Sequence, residues 1–199
     1  MTIVKFCPFI LIFFVSISCK KDKVEAPQVQ PTFVPVTIDA PYGQSTVDGY
    51  NVDLNNDGED DVLCWATYFY SSGSGTEEEL RIQGVNGAEI SFLHILDTVP
   101  FYDEEYDKVI PLEYGVSSLD TFNYSIDEVH LAKTYAPVFP ITGLNDTNLV
   151  GQTCFVCGKA NFGWFWLLLE VHGARSMTIL NYGHGSGTNF STGDNPVIP

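Results

Sequence analysis

The sequence predicts an all-β fold, a β-sandwich or jelly roll, on the basis of three observations. Beyond the first 33 residues, short runs rich in β-branched and aromatic residues alternate with clusters of Gly, Asn, Asp, Ser and Pro, which favour turns. No segment in this part sustains a helical period of 3.6 residues over three turns. The 17 glycines and 11 prolines of the chain would also interrupt a helix.

The predicted strands follow one another at the short spacing that is typical of sandwiches and jelly rolls. In chain order they span 35–40, 50–54, 62–70, 80–85, 88–96, 129–135, 153–157, 162–172 and 176–182. The run FGWFWLLLEVH at 162–172 is apolar nearly throughout, so we expect a central strand that is covered on both faces. The stretch 96–122 is weakly patterned and is predicted to be a long surface excursion.

The N-terminus carries the features of an export signal. Lys5 precedes an apolar stretch from Phe9 to Ile17, and Ser18 and Cys19 follow it. This stretch is too short to cross a bilayer as a helix, which needs about 20 residues, so it predicts a cleaved signal. The small residues before Cys19 resemble the lipobox of bacterial lipoproteins, especially its looser form in Bacteroidetes. That resemblance implies cleavage before Cys19 and acylation of its thiol; the alternative is an ordinary secretory signal.

A lipid anchor would divide the chain into three parts. Residues 1–18 would form the lipoprotein signal peptide, and 19–33, which are charged and then rich in Pro and Gln, would form a flexible tether. The β-sandwich domain would span 34–199. Several acyl chains, at about 0.8 kcal/mol per buried methylene, would hold the protein on a membrane. We therefore expect an outer-membrane lipoprotein of a bacterial envelope, exposed to the periplasm or at the cell surface.

The chain is strongly acidic, and this excludes one class of partner. It has 9 basic and 25 acidic residues and a net charge of −16. Such a surface repels nucleic acid phosphates and anionic lipid headgroups, so nucleic acid is not an expected partner. An excess of carboxylates suits hard divalent cations, which take oxygen ligands.

The loop DLNNDGEDD at 53–61 has the pattern of a calcium-binding loop. Calcium takes six to eight oxygens, which a loop can supply from alternating positions around one centre. Gly58 stands at the sixth position, where such a loop turns sharply. The candidate ligands are Asp53, Asn55, Asp57, Asp61 and the backbone carbonyl of Glu59.

This loop resembles the D-x-N-x-D-G-x-x-D loops of dockerin-like, thrombospondin-type and integrin-propeller-like repeats. It differs from an EF-hand, because its twelfth position is Cys64 and its flanks read as strands. We expect a structural calcium ion that joins two strands; magnesium fits less well, since it demands a tighter octahedral shell. The alternative is a plain hairpin turn, for which Asp57-Gly58 is a strong signal.

Three cysteines remain after removal of Cys7 and acylation of Cys19. Cys154 and Cys157 form the motif CFVC, but glycine and a strand follow it where a thioredoxin-like motif needs a helix. The predicted arrangement is a structural disulfide, for which Cys154 and Cys157 are the candidates, with one buried cysteine left over. Buried free thiols, zinc binding and redox chemistry are the alternatives.

The sequence contains no catalytic constellation. Nothing pairs the histidines at metal-binding spacing, so we expect packed or solvent-exposed side chains at His94, His130, His172 and His184. A polysaccharide-acting hydrolase needs only two suitably placed carboxylates, and the candidates are Asp103, Glu104, Glu105 and Glu170. Four tyrosines are candidates for a sugar-stacking platform, with a place in the core as the equal alternative: Tyr68, Tyr70, Tyr102 and Tyr106.

The lipobox, the acidic loop and the C-terminal NFGWFWLLLEVHGARSMTILNYGHGSG together are similar to small, uncharacterised envelope proteins of Bacteroidetes. This resemblance implies an all-β fold and brings no activity. We therefore predict a non-catalytic binding or structural module that is lipid-anchored and calcium-stabilised, with a glycan or an envelope protein as its partner. The alternative is a polysaccharide hydrolase with structural calcium.

Overall fold

The computed structural model describes residues 33–43, 45–73, 75–99, 102–116, 122–136, 145–185 and 191–193. The elements of these residues are all strands, so the all-β prediction is confirmed. None of them belongs to a helix long and apolar enough to cross a membrane. The predicted signal peptide, Cys19 and the tether before Phe33 lie outside the described residues, and the finer prediction of a sandwich or jelly roll stays a prediction.

Twelve strands form one sheet that is nearly closed. They are β1 Val36–Asp39, β2 Thr46–Val52, β3 Val62–Ser71, β4 Gly75–Gly84, β5 Glu89–Val99, β6 Tyr102–Val109, β7 Asn123–Ser125, β8 Val129–Ala136, β9 Asn145–Asp146, β10 Thr153–Ala160, β11 Gly163–Gly173 and β12 Ser176–Gly185. Their order is β1-β12-β11-β10-β5-β6-β8-β4-β3-β2, with β7 paired to β5 and β9 to β8. The two end strands approach each other, since Asp39 N donates to Asp48 Oδ2 over 2.9 Å.

The main core lies on the inner face of this sheet. Side chains of a strand alternate between its two faces, and β3 shows this, because Val62, Cys64, Ala66 and Tyr68 are buried while the residues between them are partly exposed. The neighbouring strands contribute their own buried apolar side chains to the same cluster: Leu80, Ile82, Ile90, Leu131, Leu167 and Ile179.

Strand β11 is covered on both faces, as its apolar sequence predicts. It pairs with β10 on one side and β12 on the other. Phe165 and Leu167 enter the main core, whereas Trp166 packs on the outer face with Phe155, the two rings meeting edge to face at 5.3 Å. Leu112, whose backbone exchanges two hydrogen bonds with Phe155, helps to cover this outer cluster.

The contact between β10 and β5 is short and requires a glycine. Only Gly158↔Ile90 and Lys159↔Glu89 pair across it. A Cβ at Gly158 would lie 2.3 Å from the carbonyl oxygen of Glu89 and 2.2 Å from Cζ of Phe165. The two strands can therefore approach this closely because residue 158 has no side chain.

The predicted surface excursion at 96–122 is wrong over its first half. Strand β6, Tyr102–Val109, lies there and pairs antiparallel with β5 from Phe92↔Val109 to Val99↔Tyr102. In the sequence, the acidic run DEEYD resembles a surface loop rather than a strand. Two residues of the strand, Tyr106 and Val109, are nevertheless buried. Strand β4 is also longer than predicted, because it begins at Gly75 and includes the glutamates before Leu80.

Candidate metal centre

The acidic loop connects β2 to β3. The last residue pair of this hairpin is Val52↔Val62, and Asp61 N donates to the Val52 carbonyl over 2.9 Å. Val52, Leu54 and Val62 are all almost fully buried. The two ends of the loop and its second residue are thus fixed by the core, while the acidic residues between them form the curved part of the connection.

Two residues of the loop adopt the left-handed backbone conformation. Asn56 has a φ of 59° and Gly58 a φ of 93°. Asn tolerates this region better than most residues, and Gly does so without steric cost. The sharp turn that the sequence predicts at Gly58 is therefore present.

Three ligand candidates turn their side-chain oxygens toward the loop's own backbone. Asp53 Oδ2 accepts from Gly58 N over 2.8 Å. Asn55 Oδ1 accepts from Asp57 N over 2.9 Å, and Asp57 Oδ1 accepts from Glu59 N over 2.9 Å. These hydrogen bonds curl the chain around the alternating positions 53, 55 and 57, as expected for short polar side chains in turns.

Asp61 is the buried acid of the loop, since only 5% of the residue's surface is exposed to solvent. Its Oδ2 accepts from Leu54 N over 2.8 Å. Burial raises the pKa of Asp61, and the negative charges of Asp57 and Asp53 raise it further, while hydrogen bonds from the backbone of Leu54 and Asn55 act in the opposite direction. The charges of Asp57 and Asp53 therefore act against the ionised form of Asp61.

The two remaining acids of the loop face away from this group. Glu59 is exposed, so its role as a ligand would rest on its backbone carbonyl. Asp60 Oδ2 accepts from Asn51 Nδ2 over 2.7 Å, and its backbone carbonyl accepts from Asn86 Nδ2 over 2.8 Å. Asp60 thus links the loop to β2 and to the turn after β4.

The donor set fits a hard cation in its chemistry, since it contains only carboxylate, amide and carbonyl oxygens. Among the described residues, however, no three His, Cys, Asp or Glu side chains form a group that could hold a metal ion. An ion in this loop would therefore depend on the amide oxygen of Asn55 and the carbonyl of Glu59 as well as on the acids. No ion pair of Lys or Arg in the described part involves a carboxylate of this loop.

The three cysteines among the described residues, Cys64, Cys154 and Cys157, are free thiols, and the predicted disulfide is not formed. Cys154 and Cys157 lie three residues apart on β10, so their side chains point to opposite faces of the sheet. Cys154 belongs to the main core, and Cys157 belongs to the outer cluster around Trp166. Burial raises the pKa of Cys154 to about 11 and that of Cys157 and Cys64 to about 12, which keeps all three protonated.

Of the two alternatives for the tyrosines, the core is the correct one for Tyr68 and Tyr106. Tyr68 and Tyr106 are buried, at 2% and 7% exposure, whereas Tyr70 is exposed. Among the candidate acids, Glu170 lies on β11 with its Oε1 4.0 Å from His172 Nδ1. The side chains of Tyr102 and of Asp103, Glu104 and Glu105 are outside the described part of the structure, so their roles stay predictions.

One group of charged residues was missed by the sequence reasoning. Glu79, on β4, is only 1% exposed, and it forms ion pairs with Arg81 and with Lys133, whose Nζ is 3.1 Å from Glu79 Oε1. His130 stands beside them, and burial, followed by the charges of Lys133 and Arg81, lowers its pKa to about 3. This histidine is therefore neutral at physiological pH. The local sequence gives no signal for the group, because Glu79 and Lys133 meet only through the pairing of β4 with β8.

Comparisons with protein-family models, with curated proteins and with solved structures gave no significant match to this chain.

Proposed function

We propose that the protein is a lipid-anchored, calcium-stabilised and non-catalytic binding or structural module of the bacterial cell envelope. The observation that supports the calcium site is the electrostatic effect of Asp57 and Asp53 on the carboxylate of Asp61. One of these carboxylates is buried, the charges of the other two raise its pKa, and no described Lys or Arg neutralises them. A divalent cation would remove this repulsion.

The hydrogen bonds within the loop are compatible with a bound ion. An ionised carboxylate has about four acceptor sites on its two oxygens. Asp57 and Asp61 can therefore keep their hydrogen bonds with backbone N–H groups and still offer lone pairs to a cation. Asn55 would contribute its amide oxygen and Glu59 its backbone carbonyl.

The expected role of the ion is to stiffen the β2–β3 hairpin. Strand β2 is an end strand of the sheet, and Val52 is its only buried residue. The loop continues directly from Val52, so an ion held there would restrain the end of a strand that has little packing of its own. A ligand that binds only the folded state adds RT ln(1 + [L]/Kd), or about 2.7 kcal/mol at a hundredfold excess over Kd.

Calcium dependence of the melting temperature tests this part of the proposal. For a domain of this size, about 2.7 kcal/mol corresponds to a Tm increase of roughly 5–11 °C. We expect that increase in Tm when calcium replaces EDTA, and a smaller increase when magnesium does. Elemental analysis of the dialysed protein should also detect bound calcium. An equal Tm in EDTA and in millimolar calcium, with no bound ion, would exclude the site.

The lipid anchor has its own test at Cys19. Growth of the producing bacterium with an alkyne analogue of palmitate should label the protein, and Cys19→Ala should abolish the label. Cys7→Ala is the matched control, because Cys7 lies inside the predicted signal and should be dispensable for labelling. Equal labelling of both variants, or no labelling of the wild type, would contradict the anchor.

A further inference from the structure

The outer face of the sheet carries a row of side chains that crosses four strands. The register pairs Val47 on β2 with Thr67 on β3, Thr67 with Glu79 on β4, and Glu79 with Lys133 on β8. Directly paired residues in antiparallel strands point to the same face. Along β3, Phe69 extends the same face by one step and pairs with Glu77.

A groove of about 340 Å³ lies over this face, at the low end of the range for small-molecule sites. Its walls combine apolar and polar groups from three neighbouring strands and the residue before β2. Phe69 is 49% exposed and Val47 is 73% exposed, so the apolar part of the wall is open to solvent. The polar part includes Thr67, Glu77 and Arg81.

The floor of the groove contains hydrogen-bonding groups that are not fully used. Glu79 Oε1 and Arg81 Nε are buried and lack hydrogen-bond partners, although both residues form ion pairs. Thr67 Oγ1 contacts Glu79 Oε2 at 3.4 Å, which is a long hydrogen bond. These two atoms have almost no solvent-accessible surface, so the polar side chains within reach of a ligand are the partly exposed ones of Thr67, Glu77 and Arg81.

The charges indicate the class of ligand. Glu77 pairs with Lys133, Glu79 pairs with Lys133 and Arg81, and the chain as a whole is strongly acidic. An anionic ligand would be repelled by the protein's field, and each acid of the groove already has a basic partner, so neither is an unpaired carboxylate that would attract a cation. A neutral ligand with many hydroxyl groups matches the mixture of donors and acceptors, and the ring of Phe69 offers an apolar face against which a sugar ring can pack.

We propose that this groove binds a neutral saccharide, with Phe69 packing against a sugar ring and Thr67, Glu77 and Arg81 bonding its hydroxyls. The inference rests on the proposed binding role and names its ligand class and site. It does not depend on the calcium loop, because none of the loop residues lines the groove.

Titration with neutral oligosaccharides tests the proposal. The probes are cello-, malto-, xylo- and manno-hexaose, followed by isothermal titration calorimetry and by saturation-transfer NMR on the mature chain. We expect at least one to bind, and Phe69→Ala to weaken that binding by about tenfold or more. Tyr70→Ala is the matched control, because Tyr70 is a neighbouring aromatic on β3 with 54% exposure that does not line the groove.

The outcomes separate the groove from the calcium loop. Binding that Phe69→Ala weakens and Tyr70→Ala leaves unchanged, in variants that keep the wild-type Tm and calcium response, supports the saccharide site. Absence of binding to all four probes at millimolar concentration overturns it, as does binding that is equally strong in Phe69→Ala. Either negative result would exclude the saccharide site without excluding the calcium site, because the calcium response of the loop is measured separately.

Discussion

The substitution Asp61→Asn should change stability in opposite directions with and without calcium. In chelator, the buried carboxylate is costly, since burial and the charges of Asp57 and Asp53 raise its pKa above 3.8. Asparagine keeps an oxygen that can accept the hydrogen bond from Leu54 N and removes the charge. We therefore expect the variant to be at least as stable as the wild type in EDTA.

In calcium the sign reverses, because the variant loses a charged ligand of the ion. At a hundredfold excess over the wild-type Kd, the calcium contribution is about 2.7 kcal/mol, so loss of binding would lower the Tm by roughly 5–11 °C relative to the wild type. Asp60→Asn is the matched control, since Asp60 bonds outward to Asn51. We expect it to alter stability by less than about 0.5 kcal/mol in both conditions.

The dependence on pH gives a second readout in chelator. A carboxyl whose folded pKa is raised contributes stability that is present below its unfolded pKa and is lost as pH rises through the folded value. Relative to Asp61→Asn, the wild type should therefore gain stability as the pH falls from neutral toward 3.8. Thermal melts of both proteins across this range measure the difference. If Asp61→Asn lowers the Tm equally in EDTA and in calcium, Asp61 is only a structural acceptor for Leu54 and the reasoning fails.

Three further predictions concern the core and the sheet. Gly158→Ala should lower the free energy of unfolding, measured in urea, by about 1–3 kcal/mol or more, because its Cβ would overlap backbone. Gly173→Ala should lower it far less, because the space around that position is open. Glu79→Ala should cost about 3 kcal/mol, the low end for breaking a buried ion pair, because Lys133 and Arg81 lose their buried partner but keep Glu77 and Glu128 nearby. The partly exposed Glu89→Ala should cost less than about 1 kcal/mol, and similar losses in the two variants would contradict the burial. Cys157 should resist iodoacetamide at pH 8 in the folded protein and react in urea, as peptide mass spectrometry can show, since burial raises its pKa to about 12; rapid native labelling would refute this.

The features that sequence could predict are those that depend on neighbouring residues. The run of β-branched and aromatic residues placed β3 from Val62, and the continuous apolar run placed β11 within one residue of its observed ends. The turn at Gly58 followed from the same local logic, because its conformation needs a residue without a Cβ. These signals lie in a few consecutive residues and do not depend on which strand pairs with which.

The features that sequence could not predict depend on pairing between distant strands. Strand β6 is stabilised by its ladder with β5, and its acidic letters resemble those of a solvated loop. The contact of Glu79 with Lys133 joins residues from β4 and β8, which lie far apart in the chain. The separation of Cys154 from Cys157 was predictable in principle, because a spacing of three along one continuous strand places two side chains on opposite faces.

The β2–β3 hairpin connects the two candidate sites. The acidic loop follows Val52 at one end of β2, and Val47, near the other end, lines the groove. At about 3.3 Å per residue, these positions lie roughly 16 Å apart along the strand. Because β2 buries little except Val52, its order depends mainly on its backbone ladder with β3, and a strand held in this way opens easily from its ends.

An ion in the loop should restrain one of those ends and thereby protect the whole strand. We expect amide hydrogen exchange across Thr46–Val52 to slow by about tenfold or more in calcium, as the stabilisation of a locally opening unit requires. The amides of β11, which lies between two long partners and is covered on both faces, serve as the internal control for local opening. If calcium slows exchange in β11 but not in β2, the ion acts on global unfolding from another position. Exchange that slows in β2 and the loop, whether or not β11 also slows through the rise in global stability, would instead mean that the ion organises the strand on which the groove is built.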